Sequence, residues 1–141
     1  MSISAKTIEL VKNTAPLLRE KGEEVTTRMY QILFSKYAET EVLFKKANNQ
    51  PTKLAAAISA YAANIDKLEN LSDAVEIMAQ RHVNVEIKPK HYPMVGDSLL
   101  TAMKEVLGTD VITDEVYSAW AEAYNFLAEV LKKREKELYD A

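Results

Sequence analysis

His82 is the side chain of this sequence with the clearest capacity for chemistry. It follows Val75, Met78 and Ala79 at helical spacing, which places it on the apolar face of its predicted helix. An imidazole in that position is either a buried histidine with a hydrogen bond or a ligand to a metal ion. The chain has one other histidine and no cysteine, so sites built from several histidines or from thiolates are excluded.

Four other polar side chains stand out, although spacing alone leaves an ordinary explanation for each. Glu135 lies on the edge of the apolar stripe of the last predicted helix, and burying it unpaired would cost several kcal/mol, so it must reach solvent or a donor. Tyr30 and Tyr92 are compatible with core tyrosines. Gln50 is compatible with a helix cap. The second histidine, His91, lies in a polar, proline-flanked stretch and is expected to be either accessible to solvent or a helix-entry residue, and not a ligand.

Composition and missing motifs exclude several functional classes. The 141 residues carry a formal net charge of -3 with cations and anions interleaved, which argues against a nucleic-acid partner. The sequence has no glycine-rich phosphate loop, H-E-x-x-H or G-x-S-x-G. No apolar run approaches the about 18 residues of a membrane helix, and no secretion signal opens the chain. We therefore expect no membrane insertion and a cytoplasmic location.

Apolar residues recur at helical spacing between only three glycines and four prolines, which predicts an all-α fold in one domain, 1–141. The first helix is predicted from Ser4, its cap, to residue 21, with a kink at Pro16 and a stop at Gly22. The remaining predicted elements are a helix over about 23–37, a turn through Val42 and Phe44, a loop over 45–49, a helix opened by Pro51, a helix from Ser72 or Asp73 to the loop 86–90, a helix from Pro93 to Gly108, and a last helix capped by Thr113 and ending near Tyr139.

Five segments carry a family resemblance that covers nearly the whole chain. They read TRMYQILFSKY, VLF, QPTKLAAAISAYAANID, MAQRHVNVEIKPKHYPMVG and AWAEAYNFLAEVLKKREKELY. In these segments the sequence resembles the globin family, and within it the globin domain of flavohaemoglobins and the single-domain bacterial haemoglobins. The resemblance implies a globin fold, a helical sandwich around one haem b, which must be held without C-x-x-C-H attachment because the chain has no cysteine.

The resemblance also implies roles for individual residues. His82 in QRHVNV matches the proximal iron ligand, and Tyr92 and Glu135 match residues that hydrogen-bond to it. Tyr30 and Gln50 match the distal tyrosine and glutamine. The expected haem contacts besides His82 are Phe44, Leu54, Arg81 and Val95, of which Arg81 stands where the family commonly has Lys.

The activity that the resemblance implies is nitric oxide dioxygenation, in which NO combines with bound O2 and nitrate leaves. Tyr30, Gln50, Tyr92 and Glu135 are the candidate catalytic residues. Because the chain has no dinucleotide-binding fingerprint, either re-reduction of the haem needs a separate reductase or the chain is a domain excised from a longer protein. The alternatives are oxygen binding, storage, delivery or sensing without turnover, and a helical bundle without a cofactor.

Overall fold

The computed structural model describes residues 3–46 and 51–141, and within them every regular element is helical. The elements are α1 (Ala5–Asn13), α2 (Ala15–Lys36), α3 (Glu39–Lys46), α4 (Pro51–Ala63), a 3₁₀ helix (Leu68–Leu71), α5 (Ser72–Asn84), α6 (His91–Leu107) and α7 (Asp114–Asp140). The all-α prediction is confirmed. Among these residues no helix combines the length and apolar character needed to cross a membrane.

The two predicted side-chain caps are confirmed because they depend on local geometry. The Ser4 hydroxyl accepts from the backbone N–H of Thr7 at 3.2 Å, and Thr113 caps α7 by accepting from Val116 N–H at 3.2 Å. Each satisfies one of the N–H groups that the first turn of a helix leaves without a partner.

The predicted boundaries of the first two helices are wrong. The chain breaks at Thr14 instead of bending at Pro16, which lies in the first turn of α2, where its missing N–H costs nothing. Gly22 does not stop a helix, since α2 continues through it. A Cβ added to Gly22 would lie 3.2 Å from the Cβ of Ala55 in α4. Gly22 therefore serves the close approach of α2 and α4.

Two other boundaries shift by a few residues. Helix α3 continues to Lys46, so the predicted loop does not begin at residue 45, and residues 47–49 lie outside the described part of the chain. Helix α6 begins two residues before Pro93, at His91. A proline in the first turn is compatible with the predicted start of α6 at Pro93 and with the observed start at His91.

Helix packing brings six helices, α2 to α7, around one interior space. Helix α2 packs mainly on α4 and α6, whereas α1 and α5 pack on α7. Trp120 of α7 is buried and donates its indole N–H to the Thr14 hydroxyl at 3.0 Å, which ties α7 to the junction of α1 and α2. Buried aliphatic side chains of α2, such as Met29 and Leu33, complete the core beside Tyr30.

The connection from α5 to α6 is held to α7 by its backbone. Ile87 donates its N–H to the carbonyl of His82 at 2.9 Å and accepts from the Tyr139 hydroxyl at 2.8 Å. The Lys88 ammonium lies 3.8 Å from the centroid of the Tyr139 ring. Glu86 has a φ of 65°, which a non-glycine residue adopts only where the surroundings hold it. The segment after His82 is thus fixed by named contacts.

Of the two alternatives for His91, the helix-entry position is confirmed, since α6 begins at this residue, and accessibility to solvent is wrong. Its side chain is 5% exposed, and Nδ1 accepts the backbone N–H of Lys88 at 2.9 Å. The backbone N–H of His91 in turn donates to the Lys88 carbonyl at 3.0 Å. Burial, the larger effect, and the positive charge of Lys90 lower the pKa of His91. His91 closes the turn that opens α6, immediately before Tyr92.

Candidate functional site

An apolar cavity is lined by residues of α2, α3, α4, α5, α6 and α7. It contains about 880 Å³ of space free of protein atoms, part of it open to solvent. Its walls are aliphatic and aromatic apart from a few polar groups. The lining residues are Met29, Tyr30, Phe44, Leu54, Ala57, Ile58, Tyr61, Met78, His82, Ile87, His91, Tyr92, Val95, Leu99, Trp120, Tyr124, Leu127 and Leu131.

On one side of the cavity, a hydrogen-bonded triad joins three helices. His82 Nδ1 lies 2.8 Å from Glu135 Oε2 and 3.0 Å from the Tyr92 hydroxyl oxygen. The Tyr92 hydroxyl donates to the Glu135 carboxylate, at 2.8 Å from Oε1 and 2.7 Å from Oε2. The structure thus brings together three residues that the family resemblance had associated. Their spacing in the sequence could not associate them.

The hydrogen bond between Glu135 and His82 bears on which nitrogen of His82 carries the proton. A carboxylate can only accept hydrogen bonds, so with Glu135 as the acceptor the donor is His82 Nδ1. A neutral imidazole with its proton on Nδ1 leaves a lone pair on Nε2. Burial, and then hydrogen bonding to Glu135, raise the pKa of Tyr92, which keeps this hydroxyl protonated as a second donor.

Elsewhere on the cavity wall, Tyr30 presents a hydroxyl without a partner. The oxygen is buried, and no described residue makes a hydrogen bond to it. Its ring stacks on Phe34 at 5.6 Å between centroids and meets Phe44 edge-on at 5.8 Å, so the aromatic contacts hold its position. Burial raises the pKa of Tyr30 to about 12. Tyr30 is therefore a neutral, positioned donor that lines an apolar space.

The start of α6 is positioned by Tyr124 and Gly96, two residues that the sequence analysis did not select. The Tyr124 hydroxyl donates to the backbone carbonyl of Tyr92 at 2.7 Å. A Cβ added to Gly96 would lie 2.7 Å from Cε2 of Tyr124, so only glycine leaves room for that ring. A glycine inside a helix was the available signal, because it commonly marks a close approach.

The other predicted site residues divide into three groups. Phe44, Leu54 and Val95 line the cavity. Arg81 is exposed on α5 and is not a lining residue. Gln50 lies outside the described residues.

These features are compatible with a haem. No cluster of three or more His, Cys, Asp or Glu residues suited to a metal occurs in the part of the chain that the structure describes. A metal held by Nε2 of His82 would have to bring its other ligands with it, as iron does in a haem. The apolar walls suit a macrocycle, and the Tyr30 hydroxyl, which lacks a partner in the described part of the chain, suits a polar ligand bound to that macrocycle.

The family model for globins matches residues 27–131. The chain is a globin. That match spans α2 to α7 and includes Tyr30, His82 and Tyr92, while Glu135 lies just beyond it. Globins and the globin domains of flavohaemoglobins bind haem, so haem binding is the family property that this cavity fits.

Relatives of this globin fall into two groups by length. An uncharacterized globin-like protein of Aquifex aeolicus is 51% identical over 97% of each chain. A flavohemoprotein of Bacillus cereus is 46% identical over 98% of this globin but only 35% of its own length. The globin thus spans about a third of its flavohemoprotein relatives.

Solved structures agree with the helical architecture. An engineered carbene transferase from Rhodothermus marinus superposes with a TM-score of 0.91 at 37% identity, covering 99% of this globin and 97% of that chain. A bacterial globin from Campylobacter jejuni superposes with a TM-score of 0.88 at 35% identity, covering 98% and 100%. The predicted globin fold is confirmed.

Proposed function

We propose that this globin binds haem b through Nε2 of His82 and converts NO and O2 to nitrate, with electrons from a reductase outside these 141 residues. The observation that carries the proposal is the pairing of two features around one cavity. A buried carboxylate forms a hydrogen bond with His82 on the side away from the cavity, and the Tyr30 hydroxyl, which has no partner among residues 3–46 and 51–141, lines the same space. A cavity built only to exclude water needs neither feature.

A bound haem would supply the iron at which O2 and NO react and which the reductase returns to the ferrous state. The role of Glu135 is to accept the Nδ1 proton of His82, which fixes the tautomer and ring orientation and makes Nε2 a stronger electron donor. Tyr92 shares the same carboxylate and holds it in place. The triad thus favours activation of a diatomic ligand.

Tyr30 would act on the ligand itself. Its hydroxyl has no competing partner among the described residues, so its proton is available to a bound diatomic molecule. A hydrogen bond to a group that carries charge contributes about 1.5–3 kcal/mol, which slows release of the ligand by one to two powers of ten. Slow release suits an enzyme that holds O2 until NO arrives, and it hinders a carrier. Gln50 remains a predicted second donor.

Two comparisons support the proposal that this globin is an enzyme. The flavohemoprotein relatives are longer proteins that contain a segment equivalent to this globin. The parent of the Rhodothermus marinus carbene transferase carries a provisional assignment as a nitric oxide dioxygenase. The electron donor is proposed to lie outside these 141 residues, on a separate reductase or on a further part of a longer chain, because these residues contain no dinucleotide-binding fingerprint.

The test is nitrate formation by the haem-loaded protein. We expect a Soret band after expression with haem, and NO added to the oxygenated ferrous form should yield nitrate quickly and repeatedly when a flavin reductase and NADH are supplied. His82→Ala should lose the ligation, whereas the matched variant His91→Ala should retain it because His91 Nδ1 is committed to a backbone N–H. Slow reaction with NO, or turnover without nitrate, would favour oxygen storage, delivery or sensing instead.

A further inference from the structure

Lys132 is placed next to the triad without belonging to it. It lies on α7 one turn before Glu135, and its ammonium nitrogen is 5.8 Å from the centroid of the Tyr92 ring. The side chain is only 27% exposed, and Nζ also pairs with Glu129 Oε1 at 3.0 Å. The neighbouring Lys133 is exposed. Lys132 is thus held over a ring whose hydroxyl bonds to the same carboxylate as His82.

A cation over an aromatic face draws electron density from the ring. For a phenol this makes the hydroxyl a stronger donor, and hydrogen bonds in a buried chain influence one another. The Tyr92 hydroxyl donates to both oxygens of Glu135, whereas His82 Nδ1 bonds to Oε2. A stronger bond from Tyr92 leaves less electron density on the carboxylate, and therefore a weaker pull on the proton of His82.

We propose that Lys132 is a positioning residue that acts through Tyr92 to moderate the hydrogen bond between Glu135 and His82. It limits the electron donation of His82 to a bound metal, so the ammonium opposes the effect of Glu135. The inference deepens the proposed function and rests on ligation of iron by His82.

The experiment compares Lys132→Met with the matched control Lys133→Met in the haem-loaded ferrous protein under argon. Methionine keeps the length of the stem and removes the charge. The iron–histidine stretching frequency in a resonance Raman spectrum reports the donor strength of the histidine. We expect Lys132→Met to raise this frequency, in the direction opposite to Glu135→Gln, and to lower the midpoint potential of the haem. Lys133→Met should leave the stretching frequency unchanged.

A double-mutant cycle shows whether the effect passes through Tyr92. In a Tyr92→Phe background the hydroxyl is absent, so adding Lys132→Met should no longer shift the frequency. A full shift in that background would indicate a direct field on the iron and overturn the inference. No shift from Lys132→Met in the otherwise native protein would also overturn it.

The failure of the proposed function has a different signature. If His82 does not bind the iron, the native protein lacks the iron–histidine band and His82→Ala keeps the native haem spectrum, which overturns the ligation and the inference with it. If the band is present and loss of Lys132 leaves it unmoved, only the inference fails. A purely structural role for Lys132 would lower the unfolding temperature and leave the frequency unchanged.

Discussion

Removal of the Tyr30 hydroxyl should stabilise the folded protein and at the same time weaken its retention of a bound ligand. A buried polar group without a partner costs about 1–3 kcal/mol, and the Tyr30 oxygen is buried with no partner among the described residues. Tyr30→Phe removes that oxygen and keeps the ring contacts with Phe34 and Phe44. For a gain of about 2 kcal/mol, the unfolding temperature of a domain of this size rises by about 4–8 °C.

The same substitution should weaken retention of a bound ligand. Loss of a hydrogen bond worth about 1.5–3 kcal/mol accelerates O2 dissociation about 10- to 150-fold. The two effects are measured on one preparation, by thermal unfolding of the ferrous protein under argon and by stopped-flow displacement of O2. Stability and ligand retention should therefore change in opposite directions, as is common where a site is built for a ligand.

Tyr92→Phe is the matched control, because it removes the same atom from a hydroxyl that is fully engaged. Its loss leaves Glu135 with one donor fewer, so the unfolding free energy should fall by about 1–3 kcal/mol. The reasoning is refuted if Tyr30→Phe also destabilises the unliganded protein, since that result would mean that the Tyr30 hydroxyl has a partner outside the described residues, with Gln50 as the first candidate.

Three further outcomes follow from the site. Glu135→Gln should lower the iron–histidine stretching frequency, because a neutral amide pulls less on the Nδ1 proton of His82. Gly96→Ala should cost about 1–3 kcal/mol in urea unfolding, since its Cβ would overlap the ring of Tyr124. His91→Gln should flatten the pH dependence of the unfolding free energy. The pKa of His91 is lower in the folded protein than in the unfolded chain, where it is about 6.5. Neutral His91 therefore stabilises the fold fully above pH 6.5, and this contribution is lost as the pH falls below that value.

Each of these has a control in the chain. Glu137→Gln on the exposed side of α7 should leave the stretching frequency unchanged. Gly22→Ala meets Ala55 at 3.2 Å instead of 2.7 Å and should cost less than Gly96→Ala. The pH slopes of native protein and His91→Gln should coincide above pH 6.5, and coincidence at lower pH as well would show that His91 titrates normally.

The sequence was most informative where structure is determined locally. Helical periodicity predicted the all-α class, and the caps at Ser4 and Thr113 were predictable because each involves a hydroxyl and an amide three residues apart. Gly22 was misread as a stop because the reason for it lies in α4, far along the chain. His91 was misread because its burial depends on the turn it closes.

In the candidate site, too, the sequence was uninformative where a contact joins residues far apart in the chain. Spacing left His82, Tyr92 and Glu135 as separate residues with ordinary explanations, since 43 to 53 positions separate Glu135 from its two donors. Only the family resemblance associated them, and their roles in catalysis remain predictions. Lys132 gave no signal, because nothing in a run such as KKREKELY distinguishes a lysine over a ring from its neighbours in solvent.

The distribution of the triad along the chain has a consequence for biosynthesis. Domains fold as units and chains emerge from the ribosome N-terminus first. His82 and Tyr92 are made well before Glu135, which lies on the last helix together with four of the lining residues, Trp120, Tyr124, Leu127 and Leu131. Until α7 has emerged and packed, Tyr92 and His82 lack their common acceptor. Tight capture of haem should therefore be a late event of synthesis, and a nascent chain stalled before α7 should bind haem weakly even though His82, the proposed ligand, is already present.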